Sequence, residues 1–257
     1  MICLLILNQC RMRIFLKTED EIILLRAASQ LATRALIEVG RHVVPRLALS
    51  HLRNKVVNAV MRTVPTESNS GKEALSSDTE FTFFVNGAYI EPSLEGECML
   101  CEGDWLTVNC WVCLNGYYSF GAHTFIVGSS QDDEPMTSTL RDMLRQVVRR
   151  ASAGHSIKEM SRTVYSLHSH DPYVLKTFGH GVGRNRVENP ILRMNPGVND
   201  TVLLKEGMCL VIALAFKHGR SHFIKPRLMH ESTFHNPFVP FGTTVVVRPG
   251  RPEILTS

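Results

Sequence analysis

Trp105-Leu106-Thr107-Val108-Asn109-Cys110-Trp111-Val112-Cys113-Leu114-Asn115-Gly116-Tyr117-Tyr118-Ser119-Phe120-Gly121-Ala122-His123-Thr124-Phe125-Ile126-Val127 is the stretch on which the reading of the fold turns. Two runs rich in β-branched and aromatic residues flank Asn-Gly, a dipeptide that accepts left-handed backbone at both central positions of a two-residue hairpin turn. The spacing predicts an antiparallel hairpin over 105–127. That turn sets Trp111 opposite Phe120, and the alternation of side chains leaves Asn109 diagonal to Phe120 on the same face.

Working outward toward the N-terminus, Thr18 and Glu21 form a capping-box pattern, and Ile22, Leu25, Ala32, Leu36 and Val39 recur at three- and four-residue steps. A long amphipathic helix ending near Gly40 is expected. A second helix is predicted over 50–61, then a polar loop from Pro65 through 66–71, then a strand over 81–85. Toward the C-terminus, helical periodicity returns over 138–151 and 156–167, the latter opening with Ser156 and Glu159 as another capping box. From Phe178 onward the chain reads as strand and loop, with apolar strands over 207–216 and 243–247. The order suggests two α-α-β-β halves within one domain over 14–257. Residues 1–13 read as an extension, with Met12 as an alternative start.

The composition agrees with this reading. A chain of 257 residues with 44% hydrophobic content can bury one large core. A net charge of +4 is compatible with an acidic partner such as RNA, but a solvated surface accounts for it as well. The apolar run 1–7 is too short to span a bilayer and lacks a cleavage signal, so no membrane or export segment is expected. Seven cysteines, an odd number in a long chain, fit reduced thiols and a cytoplasmic compartment better than a disulfide framework. A monomer is expected.

Several ordered blocks carry a resemblance. The opening Ile14-Phe15-Leu16-Lys17-Thr18-Glu19-Asp20-Glu21-Ile22 resembles the start of bacterial methionine aminopeptidases. The same family's pattern continues through Glu102-Gly103-Asp104, Thr124-Phe125-Ile126-Val127-Gly128, Gly179-His180-Gly181-Val182-Gly183-Arg184 and Lys205-Glu206-Gly207-Met208. It closes with Thr243-Thr244-Val245-Val246-Val247 and Glu253-Ile254-Leu255. The resemblance spans nearly all of 14–257. It implies the pseudo-two-fold "pita-bread" α/β fold of creatinase and aminopeptidase, with a curved, antiparallel-rich sheet and helices on one side.

It also implies a site. The family removes N-terminal methionine with two divalent ions, such as cobalt, manganese, iron or zinc, held by two aspartates, one histidine and two glutamates. Bridging carboxylates suit such ions because they supply anionic oxygen and hold both ions near one water. Counted from the matching blocks, the aspartate positions fall on Asn109 and Phe120, the histidine on His180, and the glutamates on Ala213 and Gly242. The peptide-contacting histidines fall on Val187 and Glu91. Of five ligands only His180 is retained, and one imidazole with the neutral amide of Asn109 cannot balance two divalent charges. No metal cofactor, no metal ligand and no catalytic residue are therefore expected. The chain reads as a catalytically degenerate member whose vestigial cleft binds a peptide or protein partner. The alternative is an active aminopeptidase with rearranged ligands drawn from His180, Glu91 and a cysteine.

Two other patterns need a reading. Cys98-x-x-Cys101 and Cys110-x-x-Cys113 suggest a four-thiolate zinc site in isolation. The odd separation within one strand sends Cys110 and Cys113 to opposite faces, so buried thiols are the preferred reading. Arg141, Arg145 and Arg149, with Arg150 adjacent, repeat along one predicted helix and could face ribosomal RNA, though a solvated helix face is preferred. The segment 63–80 is shorter and more polar than the stretch that shapes the methionine pocket in the family it resembles. His168, His170, His222, His230 and His235 show no ligand spacing.

Overall fold

The first helix, α1 (Glu19–His42), starts at the expected cap: the Glu21 amide donates to the Thr18 hydroxyl, and the Thr18 amide donates to the Glu21 carboxylate. Glu19, Asp20 and Glu21 in its first turn and Arg41 and His42 in its last complement the helix dipole, and the helix runs past Gly40. In this computed structural model the described residues are 13–64, 75–128, 135–167, 177–194, 202–217 and 238–256. The predicted loop 66–71 and the histidines at 168, 170, 222, 230 and 235 lie outside them.

Helix α2 (Leu49–Thr63) extends the predicted 50–61 at both ends and buries Leu49, Leu52, Val56 and Val60. Strands β1 (Glu80–Val85), β2 (Ala88–Ile90), β3 (Trp105–Leu114) and β4 (Tyr117–Ile126) follow. The hairpin forms in the register read from the turn, with Leu114 opposite Tyr117, Trp111 opposite Phe120 and Asn109 opposite Ala122. Asn115 and Gly116 take φ of 51° and 75°, the left-handed pair a type I′ turn demands. Before β3, buried Asp104 accepts from the Cys101 amide at 2.7 Å and the Asn86 side chain at 2.9 Å, fixing the Glu102-Gly103-Asp104 turn.

Helices α3 (Pro135–Arg149) and α4 (Ile157–Leu167) match the two predicted segments, and Ser156 with Glu159 closes the second capping box. Then come β5 (Thr177–Gly181), β6 (Glu188–Arg193), β7 (Cys209–Lys217), β8 (Phe238–Val246) and β9 (Glu253–Ile254). Strands β2, β5, β6 and β9 were not resolved from sequence because they are short or interrupted by glycine and proline, which erases period-two alternation.

The strands pair in the order β2-β1-β3-β4-β8-β7-β5-β6, with β9 on β8, and every ladder is antiparallel. One apolar cluster joins α1 and α2 to β1 and β3, and a second joins α3 and α4 to β5, β7 and β8. Between these halves, β4 and β8 share the single ladder pair Ala122–Gly242. Side-chain hydroxyls complete the seam. The Thr244 hydroxyl accepts from the Phe120 amide at 2.9 Å and donates to the Phe120 carbonyl at 2.8 Å. Thr256 donates to the same carbonyl at 3.1 Å and accepts from the Thr244 amide at 2.8 Å. Ser29 of α1 and Ser119 of β4 sit 2.7 Å apart, and Ser119 donates to Thr244. All these hydroxyls are buried, where each unpaired group would cost about 1–3 kcal/mol.

Candidate functional site

The seam is where the sequence-derived positions meet. Asn109 pairs with Ala122, Ala122 with Gly242, and Gly242 with Ala213, which makes one continuous rung across β3, β4, β8 and β7. Phe120 lies two residues along β4 from that rung, and His180 of β5 pairs with Val211, two residues along β7 from Ala213. All five positions therefore converge at the middle of the sheet.

Aromatic side chains fill this centre. A Cβ built on Gly242 would lie 2.6 Å from Phe120 Cε1 and 3.1 Å from Ala213 Cβ. The Phe120 ring thus occupies the volume into which a side chain at 242 would project. That ring packs on Trp111 with centroids 4.8 Å apart, and Trp111 stacks on His180 at 6.0 Å with the planes 8° from parallel. Phe120 is 7% exposed. The Asn109 Oδ1 atom is buried without a hydrogen-bond partner.

His180 is held by the backbone of its own strand. Its Nδ1 lies 2.8 Å from the Gly181 carbonyl and donates to it, so Nε2 carries the lone pair. Burial pushes the imidazole below its ordinary value, and the Gly181 carbonyl opposes that shift. The ring is a neutral base stacked on an indole.

The remaining expected residues are not gathered here. Glu91 is exposed and precedes a 3-10 turn after edge strand β2, with β1, β3, β4, β8 and β7 between it and β5. Val187 is 58% exposed on the β5–β6 connection. Cys98, Cys110 and Cys113 are buried and Cys101 is exposed; burial pushes the Cys98 thiol up to about 11 and raises Cys110 as well. Among the described residues no group of three or more histidine, cysteine, aspartate or glutamate side chains could hold a metal ion, and no helix is long and apolar enough to cross a membrane. The arginine stripe lies on α3, with Arg145 and Arg149 exposed, Arg141 half-buried and Arg145 paired to Asp142 at 3.0 Å.

Some relevant residues gave no sequence signal. Lys17 and Glu188, 171 positions apart, form a buried ion pair at 2.6 Å that ties the N-terminal segment to β6. The Thr244 hydroxyl seam and the placement of Arg186 against Trp111 also depend on long-range contacts that no local pattern announces.

Comparison with known proteins supplies the remaining frame. Residues 23–249 match the model of metallopeptidase family M24. The chain is 25% identical to the methionine aminopeptidase of Clostridium perfringens over 248 residues, covering 95% of this chain and 98% of that protein. It is 29% identical to that of Helicobacter pylori over 220 residues, covering 81% and 85%. The solved methionine aminopeptidase of Thermotoga maritima superposes with a TM-score of 0.74 at 22% identity, covering 95% of this chain and all of that one. The prolidase of Pyrococcus furiosus gives 0.67 at 19% identity, covering 94% and 65%. These neighbours share the pita-bread architecture, an antiparallel sheet carrying α-helices.

The family match corrects one expectation. The sequence reading assigned no cofactor, whereas the matching family is one of metallopeptidases, for which a metal is the working cofactor. The five central positions are nonetheless a poor donor set for a dinuclear centre: one imidazole, one amide, a phenyl ring, a methyl group and a glycine. Across 23–249, in its strand order and in its relatives, the chain belongs to metallopeptidase family M24, among methionine-aminopeptidase-like proteins.

Proposed function

We propose that this chain is a non-hydrolytic member of the family, a methionine-aminopeptidase-like protein whose cleft binds a peptide or protein partner without cleaving it. One observation carries the reading: the Phe120 ring stands in the space a side chain at position 242 would need, at the centre where Asn109, His180 and Ala213 also converge. Hydrolysis of a peptide bond needs an activated water beside the scissile carbonyl, and a carboxylate-held metal is the family's means of activating it. Here the four acidic positions carry no carboxylate, and an apolar ring stands among them.

The apolar core and the hydroxyl seam do not depend on ligand residues, so the fold persists while the chemistry goes. A single domain over 14–257, a monomer and a cytoplasmic site of action accompany this reading.

The test is release of methionine from a Met-Ala peptide by the purified full chain in buffers supplemented in turn with cobalt, manganese, iron and zinc. No release above the buffer rate is expected with any ion. Turnover that tracks stoichiometric metal uptake overturns the reading and favours an active enzyme with rearranged ligands.

A further inference from the structure

Beside the aromatic centre, on the same face of the sheet, lies a further cluster of charged and aromatic side chains. Glu80 of β1 pairs across the ladder with Trp111 of β3, and Tyr118 of β4 lies on the same face as Trp111 and Phe120. The Tyr118 hydroxyl donates to the Asp78 carboxylate at 2.6 Å, which fixes the phenol ring. Against these groups lies Arg186. Its guanidinium carbon is 5.6 Å from the Trp111 ring centre and 5.8 Å from that of Tyr118. One amine donates to the Glu80 carboxylate at 2.8 Å and the other donates to the Asp78 carbonyl. The Arg186 hydrogen bond is also the main reason the Glu80 carboxyl lies below its ordinary range.

This is a seat for a planar, forked cation. A guanidinium can rest against two aromatic rings while its two amines reach a carboxylate and a carbonyl in one plane; an ammonium offers a point charge with no such fork. The seat is open to water, with the Glu80 side chain 53% exposed and that of Arg186 35% exposed. An exposed pair of this kind is held weakly, so its cation can exchange for another of the same chemistry.

Arg186 reaches the seat from a strap, residues 182–187, that links β5 to β6. The Tyr118 amide donates to the Gly183 carbonyl at 2.8 Å, so the strap spans from the β5–β6 side of the sheet to β4 and β1. Trp111, which Arg186 covers, also touches Phe120 and His180 at the centre.

We propose that this face of the sheet carries a guanidinium site that the chain's own Arg186 fills in the free protein, and that a protein partner docks by placing an arginine side chain there and displacing that of Arg186. This rests on the reading of the cleft as a binding site and names the chemistry of what it binds. An internal occupant lowers the apparent affinity for an external one by the fraction of time the site is free, so removing it tightens binding by that factor, here roughly tenfold.

The experiment uses the full chain carrying Trp105→Phe, which leaves Trp111 as the only tryptophan. Acetyl-arginine amide and its uncharged isostere acetyl-citrulline amide are titrated while Trp111 fluorescence is read, with and without Arg186→Gln. Saturable binding of the arginine probe alone is expected, roughly tenfold tighter in the R186Q protein and weakened by salt. Equal affinity with and without Arg186, equal binding of citrulline, or no saturable binding overturns the proposal.

Should R186Q fail to fold by circular dichroism, the chain with Arg186 intact still decides. The arginine probe must accelerate amide hydrogen exchange within 182–187 and the citrulline probe must not; no acceleration overturns the proposal. Methionine release from a Met-Ala peptide would sink the non-hydrolytic reading alone, since it does not bear on who occupies this seat.

Discussion

Adding one methyl group at position 242 tests whether the Phe120 ring owns the centre of the sheet. Gly242 does not sit in the left-handed region, so Gly242→Ala brings no backbone strain and its effect on the folded state reports on space. The new Cβ would stand 2.6 Å from Phe120 Cε1, where an ordinary carbon contact is about 3.5–4.0 Å, so the ring must retreat by roughly 1 Å. It cannot do so freely, because it packs on Trp111 at 4.8 Å and Trp111 packs in turn on His180. Overpacking of this kind costs about 1–3 kcal/mol. Loss of glycine freedom in the unfolded chain returns about 0.4–1 kcal/mol. A net destabilisation of about 1–2 kcal/mol follows, or about 2–8 °C in Tm.

In a Phe120→Ala background the arithmetic reverses. That substitution alone costs about 3–5 kcal/mol as a core cavity. With the ring gone, the 2.6 Å collision is removed and the Ala213 Cβ contact at 3.1 Å needs a shift of only a few tenths of an ångström, so Gly242→Ala becomes close to neutral. The two changes should therefore couple by about 2 kcal/mol in urea unfolding of the four proteins, followed by far-ultraviolet circular dichroism with matching m values. Additivity within about 0.5 kcal/mol would refute the claim that Phe120 fills this volume.

Glu188→Ala strands the buried Lys17 ammonium and should cost about 3–5 kcal/mol by denaturant unfolding, with much of the loss recovered in a Lys17→Met, Glu188→Leu double variant; a loss below about 1 kcal/mol counts against a dry pair. The Tyr117 hydroxyl donates to Glu21 at 2.7 Å and is the main reason that carboxyl lies below its ordinary value. A depressed folded value means the stabilisation is present above about pH 4.5 and is lost as pH falls through the lower folded value, so Tyr117→Phe should flatten the stability profile below pH 4.5; an unchanged profile contradicts this. Replacing Arg141, Arg145 and Arg149 with glutamate should leave the fold intact at a cost of about 1 kcal/mol, because the Arg145–Asp142 pair becomes repulsive and an acidic group stands in the last turn of α3. If the stripe of α3 meets ribosomal RNA, co-sedimentation with ribosomes at low salt falls, and unchanged association removes that role.

The parts of the fold that were legible in the sequence are those whose cause is local. Thr18 with Glu21 and Ser156 with Glu159 announce helix starts because each cap is made within four residues. Asn115-Gly116 sets the whole β3–β4 register because a two-residue turn permits one pairing, and that register alone puts Asn109 and Phe120 on one face. What stayed hidden is what two distant segments make together. Nothing near Gly242 in sequence says that Phe120, 122 positions earlier, lies over it, and nothing near Arg186 says that Trp111 and Glu80 lie beneath it. The resemblance supplied the positions of the site, but only the packing shows what now stands there.

That packing also accounts for how the centre of the sheet is held without acidic side chains. Two carboxylates at the diagonal positions 109 and 120 of β3 and β4 would repel unless cations bridged them, a penalty that Asn109 and Phe120 do not carry. With Phe120 in place the same face buries an aromatic side chain, and a glycine at 242 with an alanine at 213 gives the ring room. The three residues are complementary as a set: a glutamate at 242 would collide with Phe120, and an aspartate at 120 would leave a void beside Gly242. Introducing a single acidic residue at 120 or 242 should therefore destabilise the chain, because each position fits only its present neighbours.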